Sequence, residues 1–71
     1  MQQRLMFTIV SAQSGWQLYE GDQGRQWFAT RGDAMETADL MAASLHAHHG
    51  IPTAVVMDMA GCESVMLMCH G

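Results

Sequence analysis

Histidine and cysteine side chains concentrate in the last third of the chain, where they could bind a metal ion. Imidazole and thiolate groups suit zinc and other borderline-soft metals. The spacing matches no zinc-finger pattern, because neither cysteine has a second cysteine two residues away. Histidines at a helix end also interact well with the helix dipole, so the sequence predicts no cofactor and keeps metal binding as an alternative. The candidate ligands are His46, His49, Cys62, Cys69 and His70.

Carboxylates are the second group that could do chemistry. Glu20 and Asp22 flank a glycine in a turn, and three more acids, Asp33, Glu36 and Asp39, follow at the start of a helical pattern. General acid–base catalysis needs a shielded cleft that shifts the pKa values of its carboxyl groups, whereas acids on a helix surface are solvated. The chain contains no nucleophile elbow, phosphate loop or dinucleotide fingerprint. The sequence therefore predicts a protein that is not an enzyme.

Length and charge narrow the function classes further. The 71 residues predict a single domain, 1–71, with a net charge of −4, no lysine and three scattered arginines. Proteins that grip phosphate backbones or anionic membranes carry clustered Lys and Arg, so we expect no nucleic-acid or membrane partner. The first ten residues lack the long apolar region of a secretory signal, and eight methionines suit a reducing compartment. The predicted location is the cytoplasm.

The elements that position these residues are two β-hairpins and one helix. Leu5 to Val10 and Trp16 to Glu20 are strand-like runs around a polar break that ends in glycine, and Arg25 to Ala29 could add a short strand. Thr53 to Met59 and Ser64 to Cys69 form the second pair of runs. The prediction is an α+β fold of ββαββ order, with four or possibly five antiparallel strands and one helix packed on one face of the sheet.

The helix is the best-defined element of the pattern. Thr30 is a predicted N-cap, and the segment from Asp33 to His49 contains no proline or interior glycine. Gly50 and then Pro52 end the helix. The apolar stripe comprises Ala34, Met35, Ala38, Met41, Ala42, Leu45 and His49.

Both faces of the predicted sheet are apolar, although a single helix covers only one. Leu5, Phe7, Ile9, Trp16 and Leu18 are expected to point toward the helix. An antiparallel sheet with one solvated face should alternate with polar residues, and these strands do not. Methionine is abundant in the last hairpin, where it favours a core or a subunit interface over copper binding. The predicted partner contacts are Met6, Val10, Tyr19, Met66 and Met68, with Leu40 on the helix as a weaker candidate.

Three short motifs resemble a family of small bacterial proteins of unknown function. These are Gly15-Trp16 in a strand, Phe28-x-Thr30-x-x-Asp33-Ala34 at the helix start, and Val55-Val56 followed by Ala60-Gly61 in the last hairpin. The resemblance spans nearly the whole chain and implies a hairpin–helix–hairpin plan with no established activity. The family is typically rich in Lys and Arg, whereas this chain is acidic. A weaker similarity, to HicB-type antitoxin domains, implies partner binding through the sheet.

The sequence as a whole therefore predicts an uncharacterised non-enzymatic interaction module. We expect a homodimer, or a complex with a protein or peptide partner, formed through the sheet face opposite the helix. The alternatives are a small His/Cys metal-binding protein and an antitoxin-like domain.

Overall fold

A computed structural model describes residues 4–59 and 63–71 of the chain, and it has an α+β fold. Six elements follow one another in the order βββαββ. They are β1 (Leu5–Ala12), β2 (Gly15–Glu20), β3 (Gln23–Phe28), α1 (Arg31–His49), β4 (Thr53–Met59) and β5 (Glu63–His70). The side chains of residues 59 and 63 lie outside the described part, as do residues 60–62.

The first hairpin forms at the predicted polar break. Ala12 pairs with Gly15 across a turn of two residues, Gln13 and Ser14, whose φ angles are 28° and 55°. Positive φ at both central positions gives a turn whose twist matches that of the flanking strands. Gly21, with φ 60°, supplies the next reversal, and β3 follows as the optional fifth strand.

The predicted helix caps are both present. The Thr30 hydroxyl accepts a hydrogen bond from the Asp33 backbone N–H at 3.2 Å, which satisfies one of the free donors of the first turn. Gly50 adopts the left-handed conformation with φ 67° and donates its N–H to the His46 carbonyl. The helix begins at Arg31, the first residue after the predicted N-cap, and ends at His49.

The strand order β3-β2-β1-β4-β5 corrects the predicted antiparallel ββαββ arrangement. β1 and β4 pair in parallel, with Phe7 beside Val55 and Ile9 beside Met57, while the three other strand pairs are antiparallel. The cause is the crossover: α1 carries the chain over β2 and β1, and β4 then lies beside β1 in the same direction. The sheet is therefore mixed and has five strands.

The core lies between the sheet and a helix surface made of alanines. Ala34, Ala38 and Ala42 recur every fourth residue and are fully buried, which allows the helix to lie close to the strands. Thr53 is the buried polar residue of this layer, and its hydroxyl donates to the Ala42 carbonyl at 3.0 Å. The strands contribute Phe7, Ile9, Leu18, Phe28, Val55 and Met57. Leu5 and Trp16 pack against this cluster, which confirms the predicted helix-facing side of the first hairpin.

In the described part of the chain, α1 lacks the combination of length and hydropathy that a membrane-spanning helix needs.

Candidate functional site

The sheet face turned away from α1, here called the open face, is the largest candidate site. Side chains alternate between the two faces along a strand, and directly paired residues share a face. Because Phe7, Ile9 and Leu18 belong to the core, their neighbours along β1 and β2 point to the open face. Its apolar residues are Met6, Val10, Tyr19, Trp27, Ala54, Val56 and Met66.

The middle of the open face has almost no exposure to solvent. Ala54 is 0% exposed and Val56 is 8% exposed, although no described element lies over them. Met66, which pairs with Val56, is 57% exposed, and Trp27 on β3 is 49% exposed. Each of the five strands thus contributes an apolar side chain to this face, with Thr8, Gln17, Asp58 and Ser64 between them. Apolar side chains that extend across a sheet face in this way are typical of an interaction surface.

Trp27 owes its position to a glycine. Gly15 is buried on the open face, and a Cβ placed on it would overlap the indole ring, lying 2.6 Å from Nε1. The indole ring therefore occupies the space beside the Gly15 backbone that a Cβ would fill. The sequence alone did not place Trp27 on this face, because the β2–β3 register that aligns it with Gln17 was not predictable.

Substituting Gly15 by alanine tests this contact. The new methyl group must displace the indole, so we expect a loss of about 1–3 kcal/mol in the free energy of unfolding. Gly32→Ala is the matched control: a Cβ there meets nothing within 4 Å, and the exchange is expected to stabilise the helix start by about 0.4–1 kcal/mol. Urea unfolding measures both values. Equal effects of the two substitutions would contradict the packing of Trp27 on Gly15.

A β-bulge in β5 separates two of the predicted interface methionines. Val55 pairs with Met68 and Val56 pairs with Met66, so Leu67 is an extra residue between them. Met68 consequently packs against the core on the helix side, whereas Met66 stays on the open face. Of the predicted contacts, Met6, Val10, Tyr19 and Met66 share the open face, and Leu40 lies on the helix.

Leu40 borders a second, smaller surface. It is 64% exposed, and with Met41 and Leu45 it lines a groove of about 400 Å³ between α1 and the β2–β3 hairpin. The rim carries Arg25, whose Nη2 lies 2.8 Å from Glu20 Oε1. These two charges satisfy each other, so the rim does not present either one free to a ligand.

The candidate metal ligands are dispersed among the described residues. His70 Nε2 lies 2.7 Å from Asp39 Oδ1 and so ties β5 to the helix. Cys69 is exposed on the open face, the opposite side of the sheet from His70, because adjacent strand residues diverge. His46 and His49 are exposed at the helix end, and the prediction for Cys62 lies outside the described residues. Residues 4–59 and 63–71 contain no cluster of three potential metal ligands.

Arg4 and His70 secure the end of the sheet. The Arg4 guanidinium donates to the Thr53 carbonyl at 2.8 Å and to the Gly71 carbonyl at 3.2 Å. Together with the His70–Asp39 pair, these bonds hold the last strand in register. All of these hydrogen bonds lie within the chain, so they stabilise the fold.

Comparisons with protein-family models, with curated proteins and with solved structures returned no match to this chain. The resemblances drawn from the short motifs therefore stay predictions, and the open face is argued from its own geometry.

Proposed function

We propose that this protein is a non-enzymatic interaction module that forms a homodimer through its open face. The observation that carries the proposal is that every strand places an apolar side chain on the open face, whereas α1 covers only the other side of the sheet. Burying the second side removes apolar surface from water, and each Å² contributes about 25 cal/mol before the costs of association. A chain this short also has little core of its own, which favours stabilisation by a partner subunit.

The distribution of charge supports a second copy as the occupant. The chain carries a net charge of −4, yet among the described side chains Asp58 is the one acidic group on the open face. Glu20 and Asp22 lie on the helix side and in a turn, and the other described acids lie on α1. Two acidic copies can therefore bring their open faces together without stacking most of their carboxylates against each other.

The size of the face is sufficient for a specific contact. Five strands of six to eight residues, about 4.8 Å apart and rising about 3.3 Å per residue, give a face of roughly 500 Å² in projection. Two copies in contact thus remove about 1,000 Å² or more, which reaches the lower range of specific interfaces. Two sheets packed in this way form a sandwich whose inner layer consists of the open-face side chains.

A lysine at Tyr19 tests the proposal. Tyr19 lies on β2 within the open face. The ammonium group of a lysine there is solvated in a monomer but is buried in a dimer. We expect Tyr19→Lys to weaken dimerisation about 30-fold or more, the effect of losing an interface anchor worth about 2 kcal/mol. Sedimentation equilibrium of the full chain across micromolar concentrations measures the change, and circular dichroism confirms that the variant is folded.

Leu40→Lys is the matched control. It introduces the same charge at a more exposed apolar residue, but on the helix. The dimer should persist with unchanged affinity. A folded wild-type chain that stays monomeric throughout would overturn the proposal. A loss of dimer in Leu40→Lys but not in Tyr19→Lys would also overturn it, and would assign the contact to the helix groove. The metal-binding and antitoxin-like alternatives stay predictions.

A further inference from the structure

Asp58 is the carboxylate that a dimer formed through the open face must cover. It lies on β4 between Val10 of β1 and Ser64 of β5, so a neighbouring strand flanks it on each side. Val10 is one of the proposed contacts, and Met66 follows Ser64 on the same face of β5. A second copy that contacts these two apolar side chains therefore also covers the carboxylate of Asp58.

Among the described residues, no partner offsets the charge of Asp58. Its side chain is half-buried, and none of the hydrogen bonds made by described side chains involves it. The strands beside it contribute Val10 and Ser64, neither of which is an ionisable residue. The other titratable side chains described on the open face are Tyr19 and Cys69. A phenol or a thiol carries no positive charge in either protonation state.

A second copy brings no cation to this face among its described side chains. The chain has three arginines and no lysine. Arg4 donates to backbone carbonyls at the end of the sheet, and Arg25 pairs with Glu20 on the helix side. Arg31 is the first residue of α1. Three histidines lie in the last turn of α1, and His70 contacts a helix carboxylate at 2.7 Å. In a face-to-face dimer the carboxylate therefore loses water without gaining an ion pair from these groups.

We infer that each copy takes up a proton on Asp58 when the open-face dimer forms, so that acid strengthens the dimer and neutral pH weakens it. The inference deepens the proposed function and rests on it. Burying an ionised carboxylate without a partner is so unfavourable that such a group is neutralised instead. The neutral carboxyl group avoids this cost and can both donate and accept a hydrogen bond. Self-association of this chain is therefore regulated by pH through one side chain.

Sedimentation equilibrium of the full chain between about pH 5 and about pH 8 tests the inference. Because the dimer binds two more protons than two monomers, its dissociation constant should fall with falling pH, by up to about 100-fold per pH unit. Asp58→Asn keeps the shape of the side chain but cannot ionise. At neutral pH it should dimerise about 100-fold more tightly than the wild type, roughly tenfold for each carboxylate removed. Imidazole groups also titrate in this range, and the remaining pH dependence of the variant measures their contribution.

Glu36→Gln is the matched control, because it removes the same unit charge from an exposed residue of α1, on the other side of the sheet. Its dimer affinity should stay within about twofold of the wild type, since salt screens a distant charge. Circular dichroism checks that each protein is folded at each pH.

Three outcomes would overturn the inference. Equal tightening by Asp58→Asn and Glu36→Gln would assign the effect to net charge. A wild-type dimer that Tyr19→Lys dissociates, but whose strength is independent of pH, would remove the role of Asp58 and leave the proposed dimer standing. Folded chains that stay monomeric at every pH, Asp58→Asn included, would overturn the proposed function and this inference with it.

Discussion

Ala38→Leu is expected to destabilise the protein by about 3 kcal/mol, because the added carbons enter a space that is already filled. Ala38 is 0% exposed and occupies the middle of the alanine surface on which α1 rests. Close packing leaves no gap for an isobutyl group, so the helix must move away from the sheet. A domain of 71 residues has a total stability of about 4–11 kcal/mol, so the loss is a large fraction of it.

Urea unfolding followed by far-ultraviolet circular dichroism measures this effect. Ala47→Leu is the control, since Ala47 lies on the same helix but is exposed, and a surface substitution there should change stability by less than about 0.5 kcal/mol. The two variants add the same atoms to the same element and differ only in the environment of the side chain. If both were tolerated equally, the close approach of α1 to the strands would be wrong.

Local features of the fold were predictable from the sequence because they depend on neighbouring residues. Thr30 and Gly50 cap the helix as expected, since a hydroxyl acceptor and a residue tolerant of positive φ are requirements of the helix ends themselves. The polar break before Gly15 likewise forms a tight turn between β1 and β2. The helix-facing side of the first hairpin followed from the alternation of large apolar residues.

The parallel pairing of β1 with β4 was not predicted. No local sequence pattern shows where the chain re-enters the sheet after a crossover helix. Hairpin turns fix only antiparallel neighbours. One signal was present: Thr53 to Met57 is an unbroken run of small and apolar residues, and all five are buried. Such a run is typical of a strand covered on both faces in the interior of a sheet, as parallel strands usually are.

The sheet face of four candidate residues was predictable, whereas that of Met68 was not. Met6, Val10, Tyr19 and Met66 lie on the open face as alternation requires. The bulge moves Met68 to the other side, and a bulge inserts no distinctive residue type that a reader of the sequence could recognise here.

Phe7→Ala is expected to be the most damaging single substitution, with a loss of about 3–5 kcal/mol. Phe7 is fully buried on β1, the central strand of the sheet, and its truncation leaves a cavity between the sheet and the alanine surface of α1. That loss approaches the whole stability expected for a domain of this length. Differential scanning fluorimetry and urea titration should show a chain that is largely unfolded when dilute.

Concentration then distinguishes the contributions of the two sheet faces. Only folded chains dimerise, so the folded fraction of Phe7→Ala should rise as the protein concentration increases. Thr8→Ala, which alters the adjacent residue on the open face, should cost about 1 kcal/mol or less, because its half-buried side chain leaves no cavity in the core. A Phe7→Ala protein that costs as little as Thr8→Ala would contradict the burial of Phe7. If the folded fraction did not change with concentration, the open face would contribute nothing to stability. Dimerisation of the folded chain necessarily makes the folded fraction depend on protein concentration.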